Sequence, residues 1–226
     1  MKRSANFVKF GEDVEGYAVP VLNEREIRAA AGIMFLVLLI AFMLILFRQD
    51  FLLVKYVIVI FLTDFIIRVF ASPRFSPLLI LGRLVVSKQV PEYVGAPHKK
   101  FAWQIGLALS GLMFLLLVVL NSYSSLTAVS CLLCLVFLFF EAAFGICLGC
   151  WFYRLLYKEE AADCAGQICK GAQKQAIQKT SRTQLFIFIG FIVYVLLAIT
   201  FFHAHFRAAP KSFKEIISSR SVSLIT

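Results

Sequence analysis

Charge is what this chain has little of. Of its 226 residues, 23 are Lys or Arg and 13 are Asp or Glu, whereas 61% are apolar and 24 are Phe. Soluble domains carry about a quarter charged residues and about half apolar ones, and a chain this long leaves roughly a third of its unfolded surface wet after folding. An ordinary water-facing domain is thereby excluded, and lipid is left as the medium for the surplus apolar surface. Glycine and proline are also sparse, at 12 and 6 residues. No phosphate-binding glycine loop, zinc-protease helix motif or nucleophile elbow occurs, so phosphoryl transfer and hydrolysis find no support. The net charge of +10 lies in loops beside apolar runs. That placement points to anchoring at anionic headgroups rather than to nucleic acid.

Five apolar stretches approach the roughly 20 residues that a helix needs to cross a bilayer. They are residues 30–47, 51–71, 101–120, 126–150 and 185–203. None alternates with the period of a barrel strand, and a backbone in lipid must bond to itself. The expected fold class is all-α integral membrane: a bundle of four core transmembrane helices plus a fifth C-terminal transmembrane helix. Residues 1–28 are expected to form a cytoplasmic segment and the start of an interfacial helix, and 29–153 the four-helix domain. Residues 154–184 read as a polar helical linker bent near Gly171, 185–206 as the fifth helix and 207–226 as a basic tail. No cleavable signal peptide is expected, because the first apolar run begins near residue 30, behind Glu12, Asp13 and Glu15. Asn23 is placed to cap the first helix, with Glu26 reaching back to the capping amide. Ser76 and Pro77 open a short amphipathic helix near 77–88, expected to lie at the interface.

Basic residues set the expected orientation. The successive non-membrane segments carry five, one, five, none and six Lys or Arg before the fifth helix, which places the N-terminus in the cytoplasm. The tail, with Arg207, Lys211, Lys214 and Arg220, breaks the alternation, yet a crossing fifth helix remains the expectation.

Ionisable groups within spans cost about 2.5–3.5 kcal/mol each at the bilayer centre and need a reason. Asp64 and Arg68 stand one turn apart, and Glu141 is expected at the same depth on the fourth helix, with Arg68 able to reach either carboxylate. The trio reads as an internal clasp or as a proton or small-anion site. Lys55, near the outer end of its helix, is expected to snorkel. Cys131 and Cys134 read as packing residues. Cys147 and Cys150 are expected to close the cytoplasmic end of the fourth helix beside Trp151, Tyr153 and Arg154, a wet, basic rim where a thiolate forms. A reducing compartment argues against a permanent disulfide there. Gly145 and Gly149 allow close approach by another helix or a partner. At 100° per residue Cys134 and Glu141 share a face, and the thiol pair points about 150° away. One site can hold Glu141 and both thiols only if the helix bends at Gly145. Cys164 and Cys169 complete a four-cysteine pattern too wide for common zinc knuckles. Inert, dithiol and metal readings stay open for it, and no metal or cofactor is assigned. His203 and His205 read as interfacial.

Taken in order, Asn23-Glu24-Arg25, Asp64 to Arg68, Ser76-Pro77, Pro97 with Lys99, Lys100 and Phe101, and the run Phe140 to Tyr153 form a series. The chain resembles the bacterial integral membrane family catalogued as domain of unknown function 4395, over about residues 19–153. The resemblance implies an inner-membrane location but no established activity. Some members stand joined to or beside thioredoxin-like or rhodanese-like sulfur proteins, which implies thiol chemistry only by association. Beyond Tyr153 the chain departs from the pattern.

Three functions follow as expectations. In the first, Cys147 and Cys150 serve thiol redox or sulfur relay with a cytoplasmic thioredoxin-like or rhodanese-like partner, and Lys99 and Lys100 lower a thiol pKa. The second is a small-anion transporter using Asp64, Arg68 and Glu141. The third is a non-catalytic subunit of a larger membrane complex. Lipid is a partner in each, and nucleic acid in none.

Overall fold

The computed structural model describes residues 10–12, 20–157 and 180–212. Cys164, Cys169 and the linker bend at Gly171 lie outside these described residues. The order is β1 (Val21–Asn23), α1 (Glu24–Arg48), α2 (Leu52–Ile66), α3 (Pro77–Val85), β2 (Tyr93–Gly95), α4 (Ala96–Met113), β3 (Ser122–Tyr123), α5 (Ser125–Phe139), α6 (Leu148–Tyr157), α7 (Arg182–Arg207) and β4 (Lys211–Ser212). Three helices end in wider π turns: α2 continues through Ile67–Ala71, α4 through Phe114–Val119 and α5 through Phe140–Phe144.

Local chemistry starts several of the helices. Asn23 caps α1 by accepting from the Arg25 amide at 3.2 Å. The expected reciprocal cap is not formed: Glu26 accepts from the Asn23 side-chain amide at 3.0 Å instead. The reason is that Glu26 turns to face Arg83, 3.0 Å away on α3. Ser76 caps α3 through the Leu79 amide, with Pro77 at the first helical position. Ser181 and Gln184 form a capping box on α7.

Two short ladders tie the ends of the bundle. β1 pairs antiparallel with β2, Val21 opposite Gly95, immediately before α1 and α4. The ladder therefore starts those two helices side by side. At the other end β3 pairs parallel with β4. Between them the core is built from Ala30, Met34 and Ala41 of α1 against Val54, Val57 and Phe61 of α2, with Trp103, Met113 and Leu135.

Among the described residues, four helices are long and apolar enough to cross a membrane: Glu24–Arg48, Ala96–Val119, Ser125–Phe144 and Arg182–Arg207. The second expected span, now Leu52–Ala71, is of similar length but carries Lys55, Asp64 and Arg68. The expected fourth span to residue 150 is shortened. The chain turns at Gly145, which sits in the left-handed region at φ 66°, and α6 begins anew at Leu148.

α7 runs the full height of the bundle, antiparallel to α2. Near its start Gln184 donates to the Arg74 carbonyl at 3.1 Å. Near its end Lys55 donates to the carbonyls of Phe206 and Ala208 at 3.1 and 2.8 Å and to Asn121 at 2.7 Å. Lys55 thus does not snorkel. It is buried and closes the negative C-terminal end of α7, because α7 covers the route that its side chain would need to reach water.

Candidate thiol and buried-charge site

Two buried ion networks flank one cavity. The first joins α2 to α3. The Arg68 guanidinium lies 2.6 Å from Asp64, and the second Asp64 oxygen accepts from the Ser76 hydroxyl at 2.6 Å and the Leu78 amide at 3.0 Å. Arg68 Nε donates to Ser76 Oγ at 3.1 Å, and the guanidinium lies 5.3 Å from the ring centres of Phe65 and Trp103. Both charged side chains are nearly inaccessible. A carboxylate that accepts an N-terminal amide of α3, and is paired with arginine, clasps the short helix onto the bundle.

The second network joins α1, α4 and the end of α5. Lys99 Nζ lies 2.6 Å from Glu141 Oε1 and 2.9 Å from Glu24 Oε2. Arg28 approaches Glu24 at 3.6 Å, and its guanidinium lies against Gly145. The β1–β2 ladder explains the meeting, since Glu24 and Lys99 stand in the first turns of the two helices it aligns. Glu141 therefore belongs with Lys99 and Glu24, and the single cluster expected for Asp64, Arg68 and Glu141 is divided. Matching depth was not enough, because Asp64 and Ser76 already occupy the arginine. Asn23 and Arg25 extend this end of the molecule: Arg25 pairs with Glu92 at 2.8 Å, and Asn23 Oδ1 accepts from the Glu92 amide at 3.3 Å. Lys100 instead lies over the Phe10 ring at 5.3 Å. Pro97 occupies the first turn of α4, and Phe101 is half-buried on the same helix.

The turn at Gly145 decides where the thiols go. A β-carbon at Gly149 would fall on Ala102, so α6 lies tightly along α4 there. Cys147 stands just before α6, and its sulfur accepts the Cys150 amide at 3.3 Å. The pair opens a new helix instead of closing the fourth, because the left-handed residue interrupts the hydrogen-bond ladder before it. Cys147 thereby shares the wall of a cavity of about 90 Å3 with Glu141, Cys134, Arg68, Trp103 and Ser110. The bend required for one site to hold Glu141 and the thiol pair is present. Cys147 and Cys150 both interact electrostatically with Lys99.

The expected lowering of a thiol pKa by Lys99 does not prevail at Cys147. The neighbouring Cys150 sulfur, and then burial, push this thiol up, while Lys99 pulls it down and Glu141 opposes Lys99. The positive charge is already shared between two carboxylates. Sequence reasoning placed Glu24 and Lys99 within a motif but did not join them to Glu141. The signal for doing so was their equivalent positions in the first turns of two helices.

Elsewhere, Cys131 is buried in the core. His203 meets Tyr56 at 3.3 Å and His205 the Val118 carbonyl at 3.2 Å, so these histidines face different partners. Among the described residues no group of three His, Cys, Asp or Glu is placed to hold a metal.

No curated protein and no solved structure matches the chain. The family described as Domain of unknown function (DUF4395) matches residues 22–158, a stretch that holds both ion networks, the turn at Gly145 and the thiol pair. This chain belongs to the DUF4395 family.

Proposed function

We propose that this is a multi-pass protein of a bacterial inner membrane, N-terminus in the cytoplasm, in which Cys147 and Cys150 exchange disulfides or pass sulfur with a cytoplasmic thioredoxin-like or rhodanese-like partner. Insertion is supported by the four apolar helices and by an exterior that leaves Phe47, Phe186 and Phe201 at 82%, 73% and 77% exposure. Five spans follow if Leu52–Ala71 crosses with them, its three charges satisfied inside the bundle. Internal pairing makes such a crossing affordable.

The observation that carries the thiol reading is the position of Cys147. It stands at the start of a helix, its sulfur accepts a backbone amide, and it lines a cavity beside a carboxylate. A helix start stabilises a developing thiolate. In the exchange, Cys147 thiolate attacks a partner disulfide, releasing one partner thiolate and leaving a mixed disulfide. Cys150 then attacks Cys147, forming the internal disulfide and releasing the second partner thiolate. The pair is oxidised and the partner reduced by two electrons.

The test is trapping. In native membranes Cys150→Ser should accumulate an adduct on Cys147 that reductant releases and that Cys147→Ser lacks. A Cys150→Ser chain that carries no adduct even under oxidising challenge would remove the reading. The small-anion alternative receives less support, since Arg68 is committed to Asp64 and Ser76.

A further inference from the structure

A second cavity, of about 300 Å3, lies on the α7 side of the bundle and shares Met34 and Phe61 with the thiol cavity. Val37 of α1, Leu78 of α3, and Phe188 and Leu196 of α7 also line it, and every lining side chain is apolar. Val37 and Leu196 are themselves exposed, so the cavity opens sideways to the medium around the helices. Along α7 it runs from Phe188 to Leu196, about 12 Å at the rise of a helix. A helix, about 10 Å across, is too thick for a space of this volume. Water would find no polar partner in it. One alkyl chain suits both its length and its chemistry.

The end of the cavity nearest the start of α7 carries positive charge. Arg182 precedes Phe188 on α7 by about 9 Å, and Arg74 lies one turn before Leu78. Gln184 joins the two segments by donating to the Arg74 carbonyl at 3.1 Å. Both arginines are exposed, and no ion pair is recorded for either among the described residues. The nearby Arg68 and Arg83 are already paired, with Asp64 and Glu26. No Asp or Glu occurs in residues 65–91 or 180–212, so no local carboxylate along either segment opposes Arg74 and Arg182.

We propose that the cavity holds one acyl chain of an anionic phospholipid whose phosphate is bound by Arg74 and Arg182. An arginine fork matches phosphate oxygens, and basic residues beside a crevice between membrane helices select anionic headgroups. The chain fills the space between α1 and α7, and the headgroup lies where Gln184 fastens α7 to Arg74. The lipid thereby adds packing along α7 to the polar contacts at its two ends.

The inference rests on the membrane reading of the chain and is independent of the thiols. The full chain, stripped of lipid in a neutral detergent, is titrated with phosphatidylglycerol, with phosphatidylcholine of the same acyl chains, and with glycerol phosphate. Native mass spectrometry counts what stays bound. One phosphatidylglycerol should be held at least about fivefold more tightly than phosphatidylcholine, and glycerol phosphate should not displace it. Arg74→Gln and Arg182→Gln should each weaken phosphatidylglycerol about fivefold, and together about thirtyfold. Val195→Phe, which fills the cavity from α7, should weaken both lipids. Equal retention of the two lipids by the native chain means an unselective lipid coat and overturns the proposal. Displacement by glycerol phosphate, or full retention by Val195→Phe, leaves only a surface phosphate contact and overturns it too. Where a variant melts well below the native chain in lipid-free detergent, the native comparison of the three ligands decides alone. A chain that stays in solution without detergent would sink the membrane reading and this site together; one that needs detergent but does not distinguish the lipids would sink this site only.

Discussion

Lys99 holds two carboxylates, Glu24 and Glu141, at once. It is buried, and it is the only cation within bonding distance of Glu141 among the described residues. Replacing it by methionine preserves most of its volume but leaves two carboxylates facing each other without their common partner. Breaking a buried ion pair from one side costs about 3–5 kcal/mol. Lys99→Met should therefore fall well below the native chain in thermal unfolding in detergent. The double variant Lys99→Met/Glu141→Gln should recover part of the loss, and a double variant no more stable than the single one would show that Glu141 is not the group left stranded. Arg68 shows how far spacing carries: the one-turn separation from Asp64 predicts a pair that is formed, whereas the matching depth of Glu141 predicts a contact that Lys99 takes instead. The distance of Arg68 along the helix from Asp64 is the same in any helix, but the Ser76 hydroxyl that completes its shell arrives from another element.

At the scale of elements, the turn at Gly145 matters most, because it converts one helix into two. The residue has φ 66°, and the Arg28 guanidinium occupies the space a side chain would need. A left-handed backbone costs roughly 1–2 kcal/mol for an ordinary residue and less for asparagine. Stability should therefore fall in the order Gly, Asn, Ala, Val at position 145, with Arg28 displaced in all three variants. An order that followed side-chain size, with Ala milder than Asn, would refute the backbone argument. The Gly145–Cys150 run could be read in sequence as a possible bend, since glycine permits one. It could not be read as a certain bend, because a glycine inside a helix is also tolerated at modest cost. Contacts at a distance settle the matter: Gly149 against Ala102 of α4, and Arg28 of α1 against Gly145.

For the whole molecule, α7 lies beyond the family match, which ends at residue 158, yet it is bound to the core at both ends. Gln184 holds one end to Arg74 and Lys55 closes the other. Removing α7 and the residues after it leaves Lys55 one of its three recorded acceptors, Asn121, and takes away the cover over its charge. A chain ending after residue 158 should insert but unfold more readily than the full chain, and Lys55→Met should restore stability in the truncated form while weakening the full one. Equal effects of Lys55→Met in both lengths would mean that α7 is not the partner that keeps this lysine buried.

Local signals were legible because they need only neighbours along the chain. The apolar stretches, the Asn23 cap on α1, the Ser76–Pro77 start of α3 and the possibility of a bend at Gly145 all depend on backbone chemistry within a few residues. Beyond the Asp64–Arg68 pair one turn apart, the partnering of charges did not follow from the sequence. Lys55, Lys99 and Glu141 each found their partners on elements far away in sequence, and an ion in a low-dielectric interior is satisfied by whichever group packing brings within about 3 Å. Composition and periodicity thus determined a helical, lipid-compatible chain, while helix packing alone decided which cation meets Glu24 and Glu141 and which cavity receives the thiol.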